Sequence, residues 1–209
     1  MSPESTRRLA MFPLSTVAFP GSVIPLHIFE PRYQQLTTDC LAGDARFGSV
    51  LIERGSEVGG GDQRALSGTE VHITKAMPLS DGRWLVMATA ERRIRLVQWL
   101  EDDPYPLAMV EEWTSDGEEV APSLLTRATQ GVRRTRALLS EHGDTPALPA
   151  DATFDDDPTA ACWELCAEAP LNAYDAQRLL ATDSTTARLK LLVEITTDLQ
   201  VDLHRMLAE

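Results

Sequence analysis

The sequence predicts an α+β protein in which a small β-domain is followed by a helical subdomain. In the first half, turn residues recur roughly every ten positions between short runs of β-branched and aromatic residues, as in small β-domains. After Asp116, apolar residues recur at helical spacing instead. The chain has 209 residues, of which 43% are hydrophobic and 24% charged, which is enough apolar material for a packed core in one or two domains. We therefore expect a β-domain over residues 8–115 and a helical subdomain over 116–209.

The strands of the first half are predicted from their alternation and from the turns between them. The predicted strands are 11–14, 22–28, 47–54, 69–77, 83–90, 93–99 and 106–113. Asp81-Gly82 supplies the positive φ angles of a tight hairpin turn. In strand 93–99 apolar Ile94 and Leu96 alternate with Arg93 and Arg95, and the alternation changes phase at Val97 and Trp99. This change predicts a β-bulge at Val97. The glycine-rich stretch 53–67 is predicted to be a mobile hairpin loop.

One helix is predicted to interrupt these strands. Pro31 suits the first helical turn, because a proline loses no hydrogen bond there, and apolar residues follow at helical spacing until Gly43 ends the pattern. The junction between strand and helix then falls at Glu30. The carboxylate of Glu30 is placed where it favours the positive end of the helix.

The second half is predicted to form a helical bundle. The helical patterns cover 124–139, 161–168, 175–181 and a final helix that begins after a cap at Asp183 or Ser184. Prolines and an acidic run in 143–157 predict a loop between the first two helices.

Charge and cysteine content narrow the classes of partner and compartment. The net charge of −13 repels a phosphate backbone, so nucleic acid is a disfavoured partner. Three cysteines cannot all pair within one chain, and so low a number is typical of a reducing cytoplasm. Residues 9–29 carry no charge, but three prolines inside this segment predict buried β-structure rather than a membrane span.

The sequence contains no recognisable catalytic or metal-binding motif. A phosphate-binding loop with its lysine, a GxSxG elbow, an HExxH helix and paired CxxC motifs are all missing. Cys162 and Cys166 lie one helical turn apart, but the histidines are scattered without ligand spacing, so buried packing is favoured over a metal site. We therefore expect no catalytic residue, no cofactor and no metal.

The segment MFPLSTVAFPGSVIPLHIFEPRYQQL resembles the amino-terminal substrate-binding domain of Lon ATP-dependent proteases, above all in His27-Ile28-Phe29-Glu30-Pro31-Arg32-Tyr33. The resemblance continues through Phe47-Gly48, Gly68-Thr69 and Asp81-Gly82-Arg83. It implies a PUA-like β-pseudobarrel followed by a helical subdomain, and a role in recognising unfolded or exposed polypeptide segments. The ATPase and protease modules of those enzymes do not occur in the 209 residues, so we expect a free-standing, non-catalytic binding module, an adaptor in protein quality control that works with a separate protease or ATPase. The sequence departs from the family where Ala90 replaces a glycine.

The segment from His27 to Tyr33, with Trp84, provides the candidate substrate-binding residues. Arg32 and Tyr33 are expected to project into a cleft between barrel and helix and to present a guanidinium and a phenol to a peptide backbone. The candidate substrate-binding residues are His27, Phe29, Glu30, Arg32, Tyr33 and Trp84. An alternative remains open, in which Glu30 and Arg32 only hold this corner together by hydrogen bonds.

Two other functions compete with polypeptide binding. The first is a small-molecule enzyme or ligand-binding protein that uses a barrel pocket, with Glu30 or His27 as the acid–base group. The second is RNA binding, because PUA-like barrels elsewhere bind RNA. Alternate residues of a strand share one face, so Arg93 and Arg95 are candidate phosphate or ligand contacts.

Overall fold

The chain divides into two compact units, Met1–Thr114 and Ser115–Glu209. The computed structural model describes residues 6–55, 63–114, 119–141 and 146–207. Within those residues the first unit contains six strands and one helix. They are β1 (Arg7–Leu14), β2 (Val23–Ile28), α1 (Pro31–Ala42), β3 (Arg46–Arg54), β4 (Gln63–Pro78), β5 (Trp84–Trp99) and β6 (Leu107–Glu112).

The strands of the first unit curl into a barrel. Their order is β2-β5-β4-β3-β1-β6, and β6 also pairs with β5. Five strands, β5, β4, β3, β1 and β6, therefore close a ring in the described residues. β2 is not part of this ring and pairs with β5 at its edge. β1 and β3 are parallel, whereas the other pairs are antiparallel. β5 makes this arrangement possible, because its first half pairs with β2 and its second half with β6.

β5 is one strand where the sequence predicts two, 83–90 and 93–99. Val71 pairs with Ala90 and Glu70 pairs with Arg92, so Glu91 is an extra residue opposite β4. The buried apolar residues Val86, Ala88 and Ala90 precede the bulge, and Ile94 and Leu96 follow it. The charged run from Glu91 to Arg93 separates these two apolar runs, which is why they look like separate strands in the sequence. The bulge predicted at Val97 is confirmed, because the register between β5 and β6 shifts between Leu96 and Gln98.

The turn between β4 and β5 follows the prediction in position but not in detail. Gly82 has a φ of 86°, and no positive φ occurs at Asp81. Leu79 N–H donates to the Arg83 carbonyl, which leaves a three-residue loop with a single left-handed residue. β4 also begins at Gln63, inside the predicted loop 53–67, whose residues 56–62 lie outside the described part of the chain.

The helix α1 and the inner faces of the strands share one apolar core. α1 buries Tyr33, Leu36, Thr37 and Cys40 on one face and ends at Gly43, as predicted. A second cluster fills the other end of the barrel with residues such as Met11, Ile94 and Val110.

In its described residues the second unit contains four helices, α2 (Pro122–Glu141), α3 (Pro158–Glu168), α4 (Ala173–Ala181) and α5 (Thr185–Leu207). Side chains cap three of their amino termini: Asp157 accepts from Ala160 N–H, Asn172 from Asp175 N–H, and Ser184 from Ala187 N–H. The α+β class is therefore confirmed, with a strand-rich unit followed by helices. No helix among the described residues combines the length and the hydropathy needed to cross a bilayer.

Alkaline pH is expected to destabilise the protein through two groups beside Asp39. Burial, with the charges of Asp44 and Asp39, raises the pKa of the Cys40 thiol to about 12. Burial raises the pKa of Tyr105 to about 12, aided by the hydrogen bond that its hydroxyl donates to Asp39 Oδ2 over 2.8 Å. Because the unfolded chain loses these protons first, stability from these groups is complete below about pH 9 and is lost between about pH 9 and 12.

Urea unfolding followed from about pH 8 to about pH 11 measures this loss, with an expected slope of up to about 1.4 kcal/mol per pH unit for each group. Tyr105→Phe is expected to make the slope above about pH 10 shallower. Tyr174→Phe, at an exposed tyrosine, is the matched control and is expected to leave the slope unchanged. Equal slopes for Tyr105→Phe and the wild type would contradict this account.

Candidate functional site

A groove of about 460 Å³ runs along β2 in the first unit. One wall is β2 itself with the first residues of α1, and the other wall is the end of β1 with the loop that follows it. The residues of the two walls are Phe12, Leu14, Thr16, Val17, Ala18, Ser22, Val23, Ile24, Pro25, Leu26, His27, Ile28, Phe29, Glu30 and Tyr33. Most of these side chains are apolar, so the groove suits an apolar ligand.

A tight turn places β2 beside the groove. Ser22 N–H donates to the Phe19 carbonyl, and Gly21 has a φ of 87°, as the third residue of a type II turn requires. Gly21 N–H donates to the Ala90 carbonyl while Ala90 N–H donates to the Ser22 carbonyl. Gly21 and Ser22 are therefore both opposite Ala90 and form a β-bulge with glycine in its first position. This bulge leads the chain into antiparallel pairing with β5.

The corner between β2 and α1 is built from stacked side chains. Pro31 opens α1, and the Glu30 carbonyl accepts hydrogen bonds from Tyr33 N–H and Gln34 N–H. The Glu30 side chain does not cap the helix; it accepts from Arg32 Nε over 3.1 Å. The Arg32 guanidinium lies 4.5 Å from the Tyr33 ring centroid, and Phe12 stacks on the same ring at 4.1 Å.

This stacking favours the alternative that Glu30 and Arg32 hold the corner. Tyr33 is 4% exposed, so its ring supports the groove from below instead of projecting into it. Phe29, in contrast, is 51% exposed and borders the groove. The corner therefore combines a rigid, buried support with one large apolar side chain in solvent.

Four of the six candidate substrate-binding residues line the same groove, and two do not. His27, Phe29, Glu30 and Tyr33 border it. Arg32 reaches the site through its contacts with Glu30 and Tyr33, and Trp84 packs against the apolar core of the barrel. The contribution of each residue to binding stays a prediction.

The two candidate acid–base groups border one concavity, but each has a charged neighbour. His27 Nε2 lies 3.2 Å from Arg83 Nη1, and the Glu30 carboxylate accepts from Arg32. The carboxylate of Glu30 is therefore already engaged in an ion pair with Arg32. The groove thus fulfils the geometric requirement of the enzyme alternative without an evident activated group.

The arginines considered for phosphate contact are placed differently from one another. Arg93 and Arg95 share a face, as their spacing predicts, and their guanidinium carbons lie 4.2 and 3.9 Å from the Trp113 ring centroid. Arg93 is only 3% exposed, so its guanidinium is not presented to a ligand at the surface. The neighbouring Arg92 is paired with Glu70 and Glu112.

Sequence reasoning missed the second wall of the groove. Phe12, Leu14 and the loop from Thr16 to Ala18 come from the uncharged segment 9–29, for which the sequence predicts buried β-structure. No local sequence pattern indicates that these residues lie beside β2. The position of β1 is fixed by its pairing with β3, which lies more than thirty residues further along the chain.

Comparison with known proteins relates most of the chain to one family. The family model of the ATP-dependent protease La (LON) substrate-binding domain matches residues 8–198. The crystal structure of a Lon N-terminal domain protein from Xanthomonas campestris is 28% identical, superposes with a TM-score of 0.68, and covers 90% of this chain and 98% of that chain. The N-terminal domain of Lon protease from Mycobacterium avium complex has the same fold, with a TM-score of 0.60 at 16% identity over 92% of this chain and 99% of that one.

Curated relatives are much longer than this chain. Lon protease 1 from Herpetosiphon aurantiacus is 26% identical over 197 residues, which is 90% of this chain but 24% of that protein. Lon protease from Flavobacterium johnsoniae is 26% identical over 148 residues, 70% of this chain and 18% of that protein. The chain therefore spans about a quarter or less of the length of these relatives.

Proposed function

Because the chain belongs to the family of the ATP-dependent protease La (LON) substrate-binding domain, we propose that it binds exposed apolar segments of other polypeptides in the groove beside β2. The protein acts in this proposal as a non-catalytic recognition module. The single observation that carries the proposal is the groove itself, which is open, mainly apolar and bordered by the exposed ring of Phe29.

An apolar surface next to the groove supports the same function. The outward face of β2, β5 and β4 carries exposed apolar side chains, of which Met77 and Leu85 lie directly opposite each other in the sheet register. The exposed apolar side chains of this face are Val23, Met77, Leu85 and Met87. Contiguous exposed apolar surface is characteristic of sites that contact other proteins, since a soluble protein otherwise covers such surface.

Phe29 is expected to contribute most to binding among the side chains of the groove. Its ring is half exposed without a ligand, and full burial of a phenylalanine side chain contributes roughly 1.5–3 kcal/mol. Tyr33 and Phe12 already bury their rings against each other, so a ligand gains less from them.

The test is a titration of a fluorescein-labelled apolar peptide with the wild type and two variants, followed by fluorescence anisotropy. Phe29→Ala is expected to weaken binding by about tenfold or more. Leu66→Ala, at an exposed leucine outside the groove, is the matched control and is expected to bind as the wild type does. Wild-type binding no tighter than about millimolar would overturn the proposal.

A small-molecule ligand is the second candidate, because both His27 and Glu30 border the groove. A volume of about 460 Å³ lies within the range of small-molecule sites, roughly 300–1,000 Å³. Thermal unfolding in the presence of a small-molecule collection distinguishes the candidates: stabilisation by a compound that Phe29→Ala leaves unchanged and His27→Ala removes favours the second one.

We further propose that the bound polypeptide is handed to a separate ATPase or protease, so that the chain works as an adaptor. The support for this role is family membership, since the relatives are proteases. Faster degradation of an unfolded substrate by a purified Lon protease when this protein is added is the expected result. Unchanged degradation would contradict the adaptor role and leave the binding proposal intact.

A further inference from the structure

We infer that a bound polypeptide lies in the groove as an additional β-strand, hydrogen-bonded to the open edge of β2. This inference rests on the proposed function and specifies how the groove recognises its substrate. The substrate class is then an extended segment of alternating apolar residues, and recognition of its backbone does not depend on its exact sequence.

β2 is the strand that the barrel leaves open on one side. In the described part of the chain β2 pairs with β5 alone, whereas β5, β4, β3, β1 and β6 each pair with at least two other strands. A strand with one neighbour presents a row of backbone N–H and carbonyl groups to whatever lies beside it. Beside β2 lies the groove, which follows every residue from Ser22 to Glu30.

The register identifies which backbone groups face the groove. Ala90 N–H donates to the Ser22 carbonyl, so this pair is a hydrogen-bonded one. Hydrogen-bonded and non-hydrogen-bonded pairs alternate along an antiparallel ladder, so Ile24, Leu26 and Ile28 direct their backbone groups to β5. The backbone groups of the residues between them, Val23, Pro25 and His27, then point to the open edge.

Pro25 agrees with this assignment. A proline has no N–H and is found in sheets at edge positions where no ladder bond is needed. It lies opposite Met87, in one of the pairs that the alternation makes non-hydrogen-bonded. The open edge therefore offers three carbonyl oxygens and two N–H groups, those of Val23 and His27.

Side chains on both sides of the open edge favour an apolar strand. Ile24 and Leu26 on the inward side of β2 are only half-buried, because the groove lies against them. On the outward side, Val23 is exposed. A strand that pairs with β2 thus meets apolar side chains chiefly on its inward face, beside Ile24 and Leu26, which is where its own alternate apolar residues are expected to lie. The six residues of β2 define a paired segment of about 20 Å.

The experiment uses the full chain and three labelled peptides. The parent is an eight-residue peptide of alternating valine and threonine, and the other two carry N-methyl groups on all valines or on all threonines. In a paired strand only one of these sets of N–H groups faces β2. We expect one methylated peptide to bind about tenfold more weakly or worse, while the other binds nearly as the parent does.

Amide hydrogen exchange in the protein gives a second, independent measurement. The amides of Val23 and His27 are expected to exchange rapidly in the free protein and about tenfold more slowly with the parent peptide bound. The amides of Ile24 and Leu26, already paired with β5, are the internal control and are expected to be slow in both states.

The outcomes separate this inference from the proposed function. Strand pairing is wrong, and groove binding stands, if the parent peptide binds but the two methylated peptides have the same affinity as each other. The same conclusion follows if the parent peptide binds without slowing exchange at the amides of Val23 and His27. If the parent peptide binds no more tightly than about millimolar, groove binding itself fails, and strand pairing fails with it.

Discussion

Replacing Gly68 by alanine is expected to destabilise the barrel by about 3 kcal/mol or more. Gly68 lies in β4 opposite Val50 of β3, and a Cβ at this position would lie 2.1 Å from the Ser49 carbonyl oxygen and 2.6 Å from Val50 Cγ1. A backbone oxygen cannot move aside as a flexible side chain does. The two strands must therefore separate locally, and that overpacking outweighs the roughly 0.5–1 kcal/mol that alanine normally gains over glycine.

Gly43→Ala is the matched control for this substitution. A Cβ at Gly43 would meet nothing closer than 3.7 Å, so an added methyl group does not overlap a neighbouring segment there. Urea unfolding monitored by circular dichroism is expected to show that Gly43→Ala lowers the free energy of unfolding by no more than about 1 kcal/mol, well below the loss for Gly68→Ala. A Gly68→Ala variant as stable as Gly43→Ala would show that β3 and β4 do not approach as closely as described.

Removing the side chain of Arg188 is expected to cost the helical unit about 4 kcal/mol or more. Arg188 is 0% exposed, and burial lowers the pKa of its guanidinium. Its Nε donates to the Leu179 carbonyl over 3.0 Å and its Nη2 to the Thr182 carbonyl over 2.6 Å. Its guanidinium carbon lies 3.7 Å from the Trp163 ring centroid.

These contacts explain the expected size of the effect. The carbonyls of Leu179 and Thr182 close the end of α4, where no further helical turn supplies N–H donors. Arg188→Ala removes the guanidinium donors from both carbonyls, so that Leu179 keeps the 3.2 Å hydrogen bond from Thr182 N–H and loses the one from Arg188. It also opens a cavity against Trp163, and the two costs add. Arg188→Met restores much of the volume but none of the hydrogen bonds, so it is expected to lose about 2 kcal/mol or more.

Arg178→Ala is the control for loss of an arginine from the same unit. Arg178 is exposed on α4 and pairs with Asp175 one turn away, and such a surface pair contributes about 0.5 kcal/mol or less. The free energies of unfolding of the three variants are measured by urea titration with tryptophan fluorescence. Equal losses for Arg188→Ala and Arg178→Ala would contradict the structural role of the buried guanidinium.

Local features of the sequence predict many of the element boundaries. Pro31 and Gly43 mark the ends of α1, and Ser184 caps α5, because each acts through its own backbone or through residues within one turn. The strands are predicted less completely. β1 begins at Arg7 instead of Met11, since its first residues are held by pairing with β6, about a hundred residues further along the chain.

The reason for a glycine at a given position is also hard to predict from the sequence. Gly131 weakens the helix α2 by propensity alone, yet a Cβ at this position would lie 2.6 Å from Thr196 Oγ1 of α5. The reason for a glycine at this position is therefore the neighbouring helix. Such reasons are not visible in a sequence window, because they depend on which distant element packs there.

The sequence by itself determined the α+β class, the order of strands and helices, and the corner from His27 to Tyr33 that borders the groove, because periodicity, turns and caps act over a few residues. The division into domains 8–115 and 116–209 stays a prediction from the same patterns. Only the tertiary structure decided that β2 is left with an open edge, that Phe12 and Leu14 face it, and that Arg93 is buried. Each of these depends on pairing and packing between segments far apart in the chain, and hydrophobic burial is non-directional, so composition alone does not select the partners.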